Sequence, residues 1–116
     1  MSLHLAVAPV AALPPPGSPA WRDLLDPAER AYCLGLRRAG EHLAARALAR
    51  RAVAAALGAD LTWQDVMVRR ELSGRPAVVL SGRVDAWRRR HGLAVPAISL
   101  SHAAGHAAAM AWLEPS

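Results

Sequence analysis

The chain contains no phenylalanine, no lysine and no asparagine, and only one cysteine and one tyrosine. Each absence excludes something. Cys33 alone cannot close an internal disulfide, so no disulfide scaffold is expected and a reducing cytoplasm is the expected compartment. Without Phe, the aromatic complement is Trp21, Trp63, Trp87, Trp112 and Tyr32. No apolar run approaches the ~20 residues that span a bilayer, so no membrane association is expected. The stretch from Leu3 to Leu13 is apolar, yet it has no basic start and runs into Pro14-Pro15-Pro16, so no secretory leader is expected either. Because lysine is missing, all 14 basic residues are arginine, a pattern that GC-rich coding produces.

What is present fits one domain over residues 1–116, with a Pro-rich loop at 12–20. The 53% apolar content excludes wholesale disorder, but 27 of those residues are alanine, which bury little area. A chain of this size hides about two-thirds of its unfolded surface. A core so poor in large side chains predicts support from oligomerisation. The net charge of +5 suits an anionic partner: nucleic acid, a phosphate-bearing cofactor or an acidic protein. Nucleic acid requires a basic stripe on a recognisable module, and none is present. The runs Arg37-Arg38, Arg50-Arg51, Arg69-Arg70 and Arg88-Arg89-Arg90 are what a solvated face also carries.

Along the chain, residues 3–10 alternate as a short strand that Pro9 places at an edge. Asp26-Pro27-Ala28-Glu29 is a helix start, with Asp as cap and Pro at the first helical position; it predicts a helix to about Arg38, broken at Gly40. A second helix is predicted from Glu41 to Leu57, closed by Gly58. Trp63 to Glu71 and Ala77 to Leu80 read as a hairpin turning through Ser73-Gly74. A short helix follows from Val84 to His91, then a strand from Ala97 to Ser101. The alternation of His106, Ala108, Met110 and Trp112 predicts a last strand, although its alanines favour helix by propensity. The result is an α+β domain in which Trp63 and Trp112 are expected in the core and Cys33 is expected as a buried structural thiol.

The order of these motifs resembles the holo-acyl-carrier-protein synthases, the small phosphopantetheinyl transferases. Ala44 to Gly58 (AARALARRAVAAALG) is similar to that family's long helix, A-x-R-F-A-A-K-E-A-x-x-K-A-L-G. Asp26 to Arg30 resembles its T-P-x-E-R helix start, and Trp63-Gln64-Asp65-Val66 its W/F-x-D-(I/V) strand. Gly74-Arg75-Pro76 resembles its G-(K/R)-P turn, and Ser99-Leu100-Ser101-His102 its S-(L/I)-S-H element. The resemblance covers residues 26–113 in unbroken order. It implies a phosphopantetheinyl transferase-like α+β fold, an antiparallel sheet with one long helix, and assembly as a homotrimer with sites at subunit boundaries. There, coenzyme A and magnesium would serve transfer of phosphopantetheine to a serine of an acyl carrier protein.

Departures from the family pattern fall on its metal ligands. Magnesium takes carboxylate and phosphate oxygens. The resemblance places the family's Asp at Ala8, its flanking glycines at His4 and Ala6, and its helix Glu at Arg51. Its later helix lysine falls on Ala55, the glycine-rich segment that follows is reduced to Ala59-Asp60, and PPPGSP stands where the family's first helix carries a basic residue that meets the carrier protein. No magnesium site is therefore expected, unless Glu41 or Asp65 supplies other carboxylates. Helical geometry puts Arg51 on a face with Ala47, Leu48 and Ala55, where it would meet a ligand anion or pair with Asp60 or Glu41. Arg46 keeps the family's arginine position and lies one turn before Arg50, so Arg46, Arg50, Arg51 and Ser101 form the expected anion-binding set. His102 is the expected general acid or base, since imidazole titrates near neutrality. The leading expectation is a metal-ligand-deficient relative, a pseudoenzyme or one with a new reaction. It would bind or act on carrier protein or pantetheine-linked intermediates of a fatty-acid or polyketide-type pathway. The alternatives are an active transferase using coenzyme A, and a structural or regulatory partner in a biosynthetic complex.

Overall fold

A computed structural model describes residues 3–114. Strand β1 (Leu3–Pro9) leads through a 3₁₀ turn (Val10–Ala12), the Pro-rich loop and a second 3₁₀ turn (Pro19–Asp23) to helix α1 (Pro27–Leu34). Helix α2 (Ala39–Leu57), β2 (Val66–Arg70), β3 (Pro76–Leu80), α3 (Gly82–Arg90), β4 (Ala97–Ala103) and β5 (His106–Trp112) follow. The strands make two antiparallel sheets, β1-β5-β4 and β2-β3, so the α+β class read from the sequence holds.

Alanine sets how helix and sheet meet. In the central strand β5, Ala107, Ala109 and Ala111 are buried, and they pack with Ala44, Ala45, Leu48, Ala49, Ala52 and Val53 of α2. The small side chains on the β5 face and along much of α2 let the helix lie close against the strand. The larger residues of β5's alternation, Met110 and Trp112, are only half-buried. Trp63 is half-buried too, so neither tryptophan expected in the core is there. The buried one is Trp21, which joins Leu25, Cys33, Leu43 and Ala47 in a second cluster. Its indole N–H donates to the carbonyls of Pro14 (3.1 Å) and Pro15 (3.0 Å), fixing the Pro-rich loop over α2. Cys33 is fully buried, as its apolar neighbours require.

Local signals explain most boundaries. Asp26 caps α1 by accepting from the Glu29 amide at 3.1 Å, with Pro27 at the first helical position. That helix stops at Leu34 with Gly35 as cap, four residues before the expected end, and Gly40 lies inside the first turn of α2. The bend between the helices falls at Arg38, whose backbone is non-helical, and Gly40 sits against Pro16 and Val10. Gly58 closes α2 in the left-handed conformation (φ 68°). The β4–β5 hairpin turns on Ala104-Gly105, both at positive φ (52° and 76°), the geometry of a two-residue turn that follows strand twist.

Asp65 clasps the β2–β3 hairpin to α3. Its buried carboxylate accepts from the Thr62 amide and hydroxyl (3.0 and 3.1 Å), the Ser81 hydroxyl (3.2 Å) and Arg83. Burial raises its pKa, but these donors outweigh it and hold the group below the ordinary carboxylate value. Asp65→Ala strands several donors and is expected to cost about 2–4 kcal/mol in urea unfolding; a loss under about 0.5 kcal/mol contradicts this role.

Candidate functional site

Helix α2 delivers His42 and Arg46, four residues apart and so on one face, toward the open side of the two sheets. Arg70 and Arg75 come from the β2–β3 hairpin and its turn, and Ser99 and His102 from β4. With Trp112 these side chains line a cavity of about 450 Å³. Three arginines and two histidines face one space that has no carboxylate in its wall. Such a wall suits phosphate or another multiply charged anion.

The histidines are electrostatically coupled. His102 Nδ1 lies 2.8 Å from Glu41 Oε2, an ion pair whenever the imidazole is protonated. Its ring meets that of His42 edge to face, centroids 4.9 Å apart. Burial, then the charges of His102, Arg46 and Arg70, hold the His42 pKa below its usual value, with Glu41 pulling the other way. Two imidazoles in contact thus stand at the cavity wall, and imidazole is a side chain that serves as general acid or base.

Arg46 is the most constrained cation of the set, only 7% exposed. Its Nη1 donates to the Val68 carbonyl at 2.9 Å and to Glu29 Oε1 at 3.3 Å. Its guanidinium also lies over the Tyr32 ring, 4.9 Å from the centroid, and Arg70 approaches the same ring at 5.7 Å. Glu29 in turn accepts from the Val68 amide at 2.6 Å. Burial pushes the Glu29 carboxyl up to about 7, against the opposing pull of the Val68 amide and the Arg46 charge.

Of the side chains singled out from the sequence, the structure brings together Arg46 and His102. Arg50 is half-buried and turns away, its Nη1 donating to the Leu24 carbonyl at 3.1 Å, so it makes no shared rim with Arg46. Arg51 is exposed rather than set in an apolar face: Ala55 beside it is exposed as well, and among the described residues Arg51 has no ion pair. Glu41, offered as its partner, instead meets His102 and, at 3.8 Å, Arg38. Ser101 is exposed and outside the cavity wall, which Ser99 joins in its place. His42, Arg70, Arg75 and Glu29 were missed by sequence reasoning. The four-residue spacing of His42 and Arg46 on a confident helix was the available signal for the first of them.

Ala8 and Arg51 stand where the resemblance places the family's magnesium ligands. Ala8, half-buried and paired with Ala107, has no donor atom, and Arg51 carries a cation. The two substitute carboxylates are engaged elsewhere, Glu41 with His102 and Arg38, and Asp65 with Thr62, Ser81 and Arg83. Among the described residues no group of three or more His, Cys, Asp or Glu side chains is placed to hold a metal.

The Glu29 carboxyl gives a pH prediction with a definite sign. Its folded pKa of about 7 exceeds the reference value of 4.5, so its stabilising contribution is complete below about 4.5 and lost as pH rises through 7. Asp26 and Asp65 are lowered and act oppositely, losing stability only in acid below the carboxylate range. Glu29→Gln, which cannot ionise, is expected to remove a decline of up to about 3 kcal/mol between pH 4.5 and 7.5 in urea melts. An unchanged slope contradicts the assignment.

Comparison with known proteins adds kinship to this geometry. No family model matches the chain. It is 46% identical over 93 residues to the holo-[acyl-carrier-protein] synthase of Moorella thermoacetica, covering 78% of this chain and 73% of that protein. It is 39% identical over 95 residues to the synthase of Trichlorobacter lovleyi, covering 78% and 75%. The fold matches the crystal structure of the Neisseria meningitidis synthase with a TM-score of 0.84, covering 97% of each chain at 16% identity. It also matches the Helicobacter pylori synthase in complex with coenzyme A, TM-score 0.79, over 97% of this chain and all of that one at 16% identity. The chain belongs to the holo-[acyl-carrier-protein] synthase family.

Proposed function

We propose that this protein transfers 4'-phosphopantetheine from coenzyme A to a serine of an acyl carrier protein, with arginine side chains carrying phosphate charge that the family pattern assigns to magnesium. One observation carries the reading: in a chain 46% identical to a named synthase, the cavity gathers Arg46, Arg70, Arg75, His42 and His102 in one wall. In the reaction the serine oxygen bonds to the phosphorus that bears pantetheine. The pyrophosphate P–O bond breaks, adenosine 3',5'-bisphosphate leaves, and the serine proton passes to a base. We assign that base as His102, whose Nδ1 lies 2.8 Å from Glu41 Oε2. The arginines bind and orient the phosphates.

A second reading rests on Ala8 and Arg51. Without carboxylates at those positions, the chain binds carrier protein or pantetheine-linked intermediates of a fatty-acid or polyketide-type pathway and no longer transfers the arm. Incubation with coenzyme A and several apo carrier proteins, read by mass spectrometry with and without chelator, separates the two. The first reading expects a gain of one phosphopantetheine that survives chelation. Coenzyme A binding with no mass gain supports the second, and a gain abolished by chelator overturns the metal-free account.

Arg51 is proposed as a ligand contact supplied from outside the cavity wall, at a subunit boundary. Because it is exposed, Arg51→Ala is expected to leave stability within about 0.5 kcal/mol while weakening coenzyme A binding about tenfold or more. Unchanged affinity removes Arg51 from the site.

The proposal includes a homotrimer in the cytoplasm. The alanine-built core and the outer edge strand β1 support it. Leu3, Leu5 and Val7 are 62%, 64% and 55% exposed in one alternating apolar row along that strand. Light scattering at micromolar concentration is expected to give about 37 kDa, three copies of the 12.3 kDa chain; a mass near 12 kDa overturns it.

A further inference from the structure

Arg46 stands in the wall of two cavities. It lines the 450 Å³ cavity and also a smaller one of about 130 Å³ between α1 and β2, where Glu29, Tyr32 and Val68 are its neighbours. Glu29 and the Val68 carbonyl take Nη1, and no protein partner among the described residues meets Nε or Nη2. A guanidinium is planar, so fixing one nitrogen and laying the plane over Tyr32 fixes where the other two point. The counter-charge of this cation is a carboxylate only 2% exposed, on the side away from the larger cavity. An anion in that cavity therefore shares its nearest buried cation with Glu29.

We propose that Glu29 is a positioning residue for the cavity: acting through Arg46, it sets the direction and effective charge of the guanidinium, so that an anion in the cavity and a proton on Glu29 favour one another. The inference rests on the reading of the cavity as a site for a phosphate-bearing ligand. The charged and titratable groups facing Glu29 are Asp26, the cap of α1, Tyr32 and Cys33 from α1, Arg46 and Arg50 from α2, and Arg69 and Arg70 from β2. Arg69 is held by Asp26 at 2.7 Å and Arg50 by the Leu24 carbonyl, which leaves Arg46 as the cation bonded to Glu29. With the carboxyl pushed up to about 7, both of its forms are populated at neutral pH. Linkage is reciprocal: whatever a bound anion does to the proton equilibrium, the proton does to anion affinity. A charge roughly 8 Å away, acting through an effective dielectric of ~20, changes such an equilibrium about thirtyfold, and salt screening in an open cavity brings this toward tenfold.

The test uses inorganic pyrophosphate and the full chain, with affinity measured calorimetrically at pH 6 and pH 8.5. Glu29→Gln keeps an amide oxygen to accept from Val68 and Arg46 while losing the charge. It is expected to bind pyrophosphate about tenfold tighter than the wild type at pH 8.5. It should also shed that tenfold from the pH dependence, leaving the share due to His42 and His102. Equal affinities at pH 8.5 overturn the proposal, as does failure of the wild type to bind pyrophosphate. Carbon NMR of the Glu29 carboxyl in the wild type decides the matter even if the variant does not fold. Its titration midpoint is expected to rise on saturation with pyrophosphate, and an unmoved midpoint is contrary. Coenzyme A measured alongside separates the two readings. Glu29-dependent pyrophosphate binding without coenzyme A binding upholds this inference and removes that ligand, whereas coenzyme A binding indifferent to Glu29 does the reverse.

Discussion

The buried contact of Glu29, Arg46 and Val68 ties three elements, α1, α2 and β2. An outer strand of a two-stranded sheet would leave amide and carbonyl groups without partners. At Val68 both are met by side chains, the amide by Glu29 from α1 and the carbonyl by Arg46 from α2. An acid–base pair thus serves where a third strand would otherwise pair. Arg69 adds a second tie from the same strand to Asp26, the cap of α1. Removal of the Arg46 charge would leave the Glu29 carboxylate without its cation, which costs several kcal/mol in proteins generally, whereas removal of the Glu29 charge relieves the desolvation that holds its pKa up. Conserving both costs less than the desolvation suggests, because Val68 satisfies one further bond on each.

This arrangement explains how a chain so short of large side chains still presents an ordered site. Alanine on α2 and β5 fixes the helix against the sheet, so the direction of His42 and Arg46 is set by backbone packing. The β2–β3 hairpin is held at two places, mid-strand by Glu29 and Arg46 at Val68 and at its open end by Asp65 with Ser81 and Arg83. Its arginines, Arg70 and Arg75, are thereby carried to the cavity opposite α2. The positive charge of the composition is consequently not spread evenly. Part of it is collected where an anionic ligand would enter.

Elements with strong local signals were legible in the sequence. The Asp-Pro cap of α1, the left-handed Gly58 after α2 and the alternation of β1 and β5 each follow from one or two residues acting locally. The end of α1 was misplaced because Gly35 and Gly40 are equivalent as letters, and only packing against Pro16 and Val10 makes Gly40 part of a helix. Trp63 and Trp112 were expected inside because large apolar residues are scarce. Alanine took that place, since close helix–strand packing leaves no room for an indole. The site was half legible. Arg46, Arg75 and His102 stand in recognisable motifs, while Arg70 reaches the cavity only through the hairpin's path, and Arg51 and Ala55 are exposed although Ala47 and Leu48 beside them are buried. Glu29 could be read as a capping residue and nothing more, since its partners lie 17 and 39 residues away in sequence.

The central claim is that Glu29 and Arg46 act as one unit, structurally and toward the cavity. A double-mutant cycle with Glu29→Gln and Arg46→Met, followed by urea unfolding at pH 8, measures it directly. The account predicts a coupling of about 1 kcal/mol or more, with the double variant more stable than the two single losses added together. Losses that add to within about 0.3 kcal/mol would show that the two residues act separately and would contradict it.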